Sequence, residues 1–347
     1  MKKAICLALT VLLVFSMCLT GCAKKKDKQI INFLNWGEYM DPEVIDEFNA
    51  SHDDIEVVCK YTTSNEEMYA LCATEGCEID IIVPSEYMVE RMIKEGLLAK
   101  MDYKSMENYS NIKDYSEQRT FDPNSEYSVP FMCGTLGIVY NTKLVDDEVK
   151  SWDILWNEKY AKKIMMYSSI RDTMAVALSR LGYSINSTDP EEIAEAGRSL
   201  VEQRPLVLAY GTDDIKTSMV SGSVALAMDY SGGAAAAIME NPDLSYVVPE
   251  EGSNIWVDNL VILESSDVKD ACMEFINYLM DTEISARNVE YIGYSSPDPK
   301  AMEMVDESLK SNPALYITDD MTERCVYFTD LGEALSYYND EWMKIFA

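Results

Sequence analysis

Ile79-Asp80-Ile81-Ile82-Val83-Pro84-Ser85-Glu86-Tyr87 is the stretch that decides the fold class. A short apolar run bounded by a proline has the character of a buried strand of the parallel type, and Glu86 to Glu95 after it has helical patterning that stops at Gly96. Ser85 and Tyr87 therefore fall where a strand hands over to a helix. The same alternation extends upstream. Ile30 to Asn35 is apolar and strand-like, and Asp41-Pro42-Glu43 supplies a cap, a first-turn proline and an acidic first turn for a helix to about Phe48, which leaves Trp36 to Tyr39 in the turn between them. Ile55 to Thr62 predicts another strand, and Ser64-Asn65-Glu66-Glu67 is a capping-box pattern for a helix through about Glu75. Downstream, Lys163 to Tyr167 leads into a helix from about Ile170 to Leu181. Val224 to Met228 leads into the Ala-rich stretch from about Gly232 to Met239, and Ile255 to Leu263 precedes a helix from Asp267 to Met280. The chain is α/β, without a tandem repeat or a low-complexity linker.

The amino terminus has a different character. Met1-Lys2-Lys3 is followed by an apolar run from about Ala4 to Leu19, and Leu19-Thr20-Gly21-Cys22 matches the lipobox of bacterial lipoproteins. The run is shorter than the roughly 20 residues needed to span a bilayer, which disfavours a transmembrane anchor. Residues 1–21 are thus expected to be a signal peptide, Cys22 the lipidated first residue of the mature chain, and residues 22–28 a polar stalk on the outer face of the cytoplasmic membrane, facing the periplasmic space in a Gram-negative cell.

Removing residues 1–21 from the 347 leaves 326, enough for two lobes. The formal charge of −31 would become −33 with the loss of Lys2 and Lys3, a balance that repels nucleic acid and favours cationic ligands. Acidity that serves only solubility is the plainer alternative. Besides Cys22, the mature chain has Cys59, Cys72, Cys77, Cys133, Cys272 and Cys325. None has C-x-x-C spacing, so scattered buried thiols are expected rather than a zinc or redox site. The single histidine, His52, sits in a polar Ser-His-Asp-Asp turn, which argues against zinc and Ser-His chemistry. Nothing calls for a metal or a cofactor.

In open α/β sheets ligands bind at the carboxyl ends of strands. The strand-to-helix turns here carry Trp36, Glu38 and Tyr39, Ser85 and Tyr87, Ser169 and Asp172, Tyr230, Trp256 and Asp258, and Tyr294. The set is aromatic and acidic. An aromatic face attracts an ammonium by roughly 0.5 to 2 kcal/mol, and a carboxylate adds a charge-assisted hydrogen bond of about 1.5 to 3 kcal/mol. Rings also cover the methylenes between charges, so the set suits a linear organic amine. Each residue has a duller reading as well: core tryptophans, a tyrosine packed beside a helix start, a first-turn carboxylate at Asp172. Ser231-Gly232-Gly233 has the form of an anion-binding helix start, but a tight turn is the expectation. Met174, Phe275 and Tyr278 have helical spacing and are expected in the core.

Six motifs in order resemble the spermidine/putrescine-binding, PotD-like lipoproteins of bacterial ABC importers. They are Asn35-Trp36-Gly37-Glu38-Tyr39, Val83-Pro84-Ser85-Glu86-Tyr87, Leu181-Gly182-Tyr183-Ser184, Val247-Val248-Pro249-Glu250-Glu251-Gly252, Trp256-Val257-Asp258 and Tyr291-Ile292-Gly293-Tyr294. The resemblance implies a type II periplasmic-binding-protein fold, two α/β lobes closing on a ligand cleft. Lobe 1 is then expected over residues 29–134 and 256–302, and lobe 2 over 135–255 and 303–347. It also implies a cleft lined by Trp36, Tyr39, Ser85, Tyr87, Asp172, Thr212, Tyr230, Trp256, Asp258 and Tyr294, with Glu38, Ser169 and Phe328 as further candidates.

Three departures bear on the ligand. Ser169 stands where the family often has a first acid, Tyr230 where its Gram-negative members have a tryptophan, and Phe328 where a glutamine meets the far amine. A missing carboxylate and a missing amide lean the expectation towards a putrescine-sized ligand over spermidine, although Asp229 or Glu38 could supply the lost charge. The implied protein is a monomeric, lipid-anchored binding protein that captures a polyamine and delivers it to an ABC permease, performing no chemistry. The rivals are a binder of another organic amine acting in transport or sensing, and a secreted hydrolase of cationic substrates using Asp172 and Asp258.

Overall fold

Sheet order follows from which strands can find partners on both sides. The computed structural model describes residues 28–112, 119–212 and 214–347, so the signal sequence and Cys22 lie outside the described residues. The first elements are β1 (Gln29–Trp36), α1 (Pro42–Ser51), β2 (Ile55–Thr62), α2 (Asn65–Cys72), β3 (Ile81–Ile82) and α3 (Glu86–Lys94). A long strand, β4 (Ser128–Asn141), is followed by β5 (Ile164–Tyr167), α4 (Ile170–Arg180), α5 (Pro190–Gln203), β6 (Val207–Gly211) and α6 (Asp214–Val220). Next come β7 (Leu226–Tyr230), α7 (Ser231–Glu240), β8 (Leu244–Val247), β9 (Ile255–Ile262), α8 (Lys269–Leu279) and α9 (Thr282–Ile292). The chain ends with α10 (Pro299–Met304), α11 (Glu307–Lys310), α12 (Asp319–Arg324) and α13 (Leu335–Ile345).

The strands form one sheet in the order β2-β1-β3-β9-β4-β7-β5-β6, with β8 also on β4. β4 joins its two halves. From Ser128 to Thr135 it pairs with β9, and from Leu136 to Asn141 with β7 and β8, all antiparallel. The α/β class is as the alternation predicted, but two local expectations are corrected. The strand around Ile79–Val83 narrows to Ile81–Ile82 and is parallel only to β1; β9 on its other side is antiparallel. Burial on both faces, not strand direction, makes that run apolar. Ser231-Gly232-Gly233 is the first turn of α7 and not a free tight turn, because Tyr230 ends a strand that feeds directly into the helix.

Local signals work as sequence chemistry requires. Asp41 caps α1 by accepting from the Glu43 amide at 2.9 Å, and Ser64 caps α2 by accepting from the Glu67 amide at 3.1 Å. The returning Glu67 carboxylate accepts from the Thr63 amide at 3.0 Å, one residue before the cap, and the helix stops at Cys72. Gly96, with φ of 73°, ends α3 in the left-handed region that glycine enters without a Cβ penalty. Met174 and Phe275 are fully buried in separate clusters, and Tyr278 packs half-buried against the Phe275 cluster. Among the described residues no disulfide joins the six cysteines: Cys72, Cys133, Cys272 and Cys325 are buried, Cys59 and Cys77 partly so.

Candidate functional site

Two buried carboxylates organise the turns. Asp258, on β9, receives the Tyr39 hydroxyl on one oxygen and the Ser85 hydroxyl on the other, both at 2.7 Å. Ser85 is the N-cap residue of α3 but makes no side-chain cap bond, which leaves its hydroxyl for Asp258. Asn65 holds Ser85 in place, accepting from the Ser85 amide at 3.0 Å and donating to its hydroxyl at 3.1 Å. Burial pushes the Asp258 carboxyl up to about 6, against the pull of the two hydroxyls.

The second carboxylate, Asp172, lies in the first turn of α4 and is also buried. It receives the Ser169 hydroxyl and, at 2.8 Å, the Tyr230 hydroxyl. Burial again raises its pKa, opposed by those two hydroxyls and by the neighbouring Arg171 guanidinium.

Aromatic rings run from one acid to the other. Tyr39, bonded to Asp258, lies edge-on to Tyr294 at 6.0 Å between centroids, and Tyr294 lies edge-on to Trp256 at 4.8 Å. Trp256 in turn lies edge-on to Tyr230 at 6.0 Å, and Tyr230 is the ring bonded to Asp172. Close approach of this arc to the backbone depends on two glycines. A Cβ on Gly134 would sit 2.4 Å from the Trp256 ring, and one on Gly232 would sit 2.2 Å from the Tyr294 ring.

Other candidate residues fall around this arc in different ways. The Trp36 indole donates to the Val83 carbonyl at 2.8 Å, which pins the turn after β1 to the turn after β3. Tyr87 and Phe328 share a small cluster with Ala175 and Ile185. Thr212 is exposed at the end of β6, where its amide donates to Asp214 at 3.0 Å, and among the described residues it shares no hydrogen bond or ring contact with the arc. Glu38 is exposed in a left-handed conformation, φ 53°, and has no side-chain hydrogen bond or ion pair among the described residues.

Residues outside the sequence candidates also enter. Asn65, Gly134, Gly232, Glu86 and Arg171 each touch a candidate side chain or the backbone beside one. Their local signals point elsewhere: Asn65 and Glu86 sit in ordinary first turns, and a glycine in a strand gives no hint of which ring it admits. The site brings together hydroxyls, carboxylates and rings, groups that can hold a cation. Among the described residues no group of acids, histidines and cysteines could hold a metal ion.

Comparison with known proteins agrees with this architecture. The family model for bacterial extracellular solute-binding proteins matches residues 43–316. The spermidine/putrescine-binding periplasmic protein of Escherichia coli K12 is 32% identical over 329 residues, 94% of each chain. Among solved structures, the spermidine/putrescine ABC transporter substrate-binding protein PotD of Streptococcus pneumoniae aligns with a TM-score of 0.82 at 35% identity, covering 92% of this chain and 98% of the other. The Tp0655 (TpPotD) lipoprotein of Treponema pallidum aligns with a TM-score of 0.82 at 26% identity, covering 91% and 99%. By its sequence, and with a sheet of the same architecture, the chain belongs to the family of bacterial extracellular solute-binding proteins.

Proposed function

We propose that this protein captures a linear di- or polyamine and delivers it to an ABC-type permease without altering it. The observation that carries this reading is the continuous path Asp258, Tyr39, Tyr294, Trp256, Tyr230, Asp172: a buried acid at each end and ring faces between. A buried carboxylate without a cationic partner is costly, and an ammonium at each end would relieve that cost. Ring faces would add cation–π attraction and cover the methylenes. The relatives named for spermidine and putrescine support the same ligand class.

The lobes are assigned to residues 29–134 with 256–302 and to 135–255 with 303–347, supported by the change of β4 partners between Thr135 and Leu136. Ligand held between them favours the closed form, and differential affinity for that form is what drives closure. We assign Trp36, Tyr39, Ser85, Tyr87, Asp172, Thr212, Tyr230, Trp256, Asp258 and Tyr294 to the cleft, with Glu38, Ser169 and Phe328 at its margins. We assign the protein as a monomer; the lipobox supports an anchor through lipid on Cys22, a form that keeps the binder close to its permease. The named lipoprotein of Treponema pallidum is consistent with that form.

The ligand is placed nearer putrescine than spermidine, because Ser169 and Phe328 offer no charge for a third ammonium and Arg171 adds a positive one beside Asp172. Isothermal titration against putrescine, cadaverine, agmatine, spermidine and spermine is expected to give tightest binding to a diamine. Spermidine binding far tighter than putrescine would overturn the size assignment, and heatless titrations throughout would overturn the amine reading.

A further inference from the structure

Glu86 is fully buried, yet among the described residues it has no ion pair. Its position explains why a carboxyl group is there. Where β3 runs out, the Asn259 amide still reaches the Pro84 carbonyl at 2.9 Å and Ser85 still bridges Asp258, but by Val257 the neighbouring chain has turned into α3. The Val257 amide has lost its strand partner and donates instead to one oxygen of Glu86, at 3.1 Å.

On the other side, the stretch around Val326 runs along the start of β9, with the Ile255 amide on the Val326 carbonyl at 3.1 Å. The Phe328 amide then donates to the second oxygen of Glu86, at 3.2 Å. Both oxygens accept, a task a glutamine cannot repeat because its amide nitrogen would meet one N–H with another.

What Glu86 joins has consequences for the cleft. Val257 immediately precedes Asp258. Phe328 packs its ring on Ala175, one turn beyond Asp172 on α4, and carries the Arg171 guanidinium 4.4 Å from its centroid. The same stretch is tied to the second half of the molecule by the Asn186 amide, which donates to the Tyr327 carbonyl at 2.8 Å. Three consecutive residues thus act on one space: Ser85 on the acid, Glu86 on the backbone of Phe328, Tyr87 on its ring.

We propose that Glu86 is a positioning residue that sets the length of cation the cleft accepts, by fixing the Phe328 wall and its Arg171 cation relative to Asp258. The inference rests on the amine-binding reading. A longer cation must displace Phe328 or approach Arg171, and Glu86 resists that displacement.

The test compares the unsubstituted mature chain with Glu86→Gln and Phe328→Leu, titrated with putrescine, cadaverine and spermidine, alongside the melting temperature of each without ligand. Glu86→Gln is expected to weaken putrescine about tenfold and spermidine less than about threefold, so that the ratio of the two affinities narrows by at least about threefold. Phe328→Leu should narrow it in the same direction, and the double variant should show less than the sum of the two effects. If Glu86→Gln does not fold, the ratio in Phe328→Leu decides. An unchanged ratio, including an equal loss for every amine, overturns the positioning role while leaving the amine reading intact. Absence of amine binding by the unsubstituted chain overturns both.

Discussion

The two acidic ends of the ring arc are built in different ways. Asp258 receives its hydroxyls from Tyr39 and Ser85, 219 and 173 residues away, whereas Asp172 takes one from Ser169, three residues before it in its own helix cap, and one from Tyr230, 58 residues on. Their electrostatic surroundings differ as well. Asp172 has the Arg171 guanidinium beside it, while Asp258 is opposed by hydroxyls alone and is pushed by burial to about 6. The difference teaches that the end assembled from distant segments holds the less compensated charge. On the proposed amine reading, an arriving ammonium is expected to relieve more unfavourable energy there, which would make Asp258 the stronger anchor and Asp172 the end that selects.

The sharpest way to break this comparison is to remove each charge in turn. Asp258→Asn is expected to lower diamine affinity by about a hundredfold, equivalent to about 3 kcal/mol for a charge-assisted contact, and Asp172→Asn by only about tenfold. Titration calorimetry on both variants checks the order. Because each substitution removes a buried charge, neither should lower the melting temperature of the empty protein, and equal losses in affinity would remove the asymmetry.

A smaller effect is expected from the backbone that admits the ring arc between the ends. Gly134→Ala places a methyl against Trp256 and the Ser231 hydroxyl, neither of which can retreat freely, and should cost about 1 to 3 kcal/mol in denaturant unfolding. A stable variant with unaltered affinity would show that Trp256 yields without consequence.

The smallest effect on affinity is the pH response, which has opposite signs for folding and for binding. Asp258 is raised to about 6 and Glu86 to about 8 in the folded protein, in both cases chiefly by burial. Asp258 on β9, Tyr87 on α3 and Arg171 on α4 are the charged and titratable groups that act on Glu86. A folded-state value above the unfolded one means that the folded form holds the proton more tightly. The associated stability is complete below about pH 4 and is lost as pH rises through about 6 and then about 8. The melting temperature of the empty protein should therefore fall between pH 5 and about 8.5, and Glu86→Gln should flatten the upper part of that fall. Diamine affinity needs an ionised Asp258 and should instead weaken severalfold from about pH 7.5 to 5. Calorimetric scans and titrations across that range check both signs.

Much of this was legible from local signals. The Asp41 and Ser64 caps, the Gly96 stop and the strand-to-helix turns depend on residues within a few positions of one another, so sequence spacing reports them. β4 was missed as a strand, although at 14 residues it is the longest and joins the two halves of the sheet. Its run Ser128–Asn141 carries two glycines and a proline, features that weaken a strand pattern, and its burial comes from antiparallel partners in distant parts of the chain, β7, β8 and β9. Thr212 shows the converse: the family resemblance nominates it, and in the structure it lies exposed at the end of β6.

By itself the sequence determined the α/β class, the lipobox and the inventory of acids and rings at the turns, because each is written in short-range patterning or in a motif read as a string. Only the tertiary structure decided which hydroxyl serves which acid, that four rings form an arc between two carboxylates, and that Glu86 joins β9 to Phe328. Those facts depend on contacts across many tens of residues, where burial and lost strand partners, not spacing along the chain, determine what a side chain does.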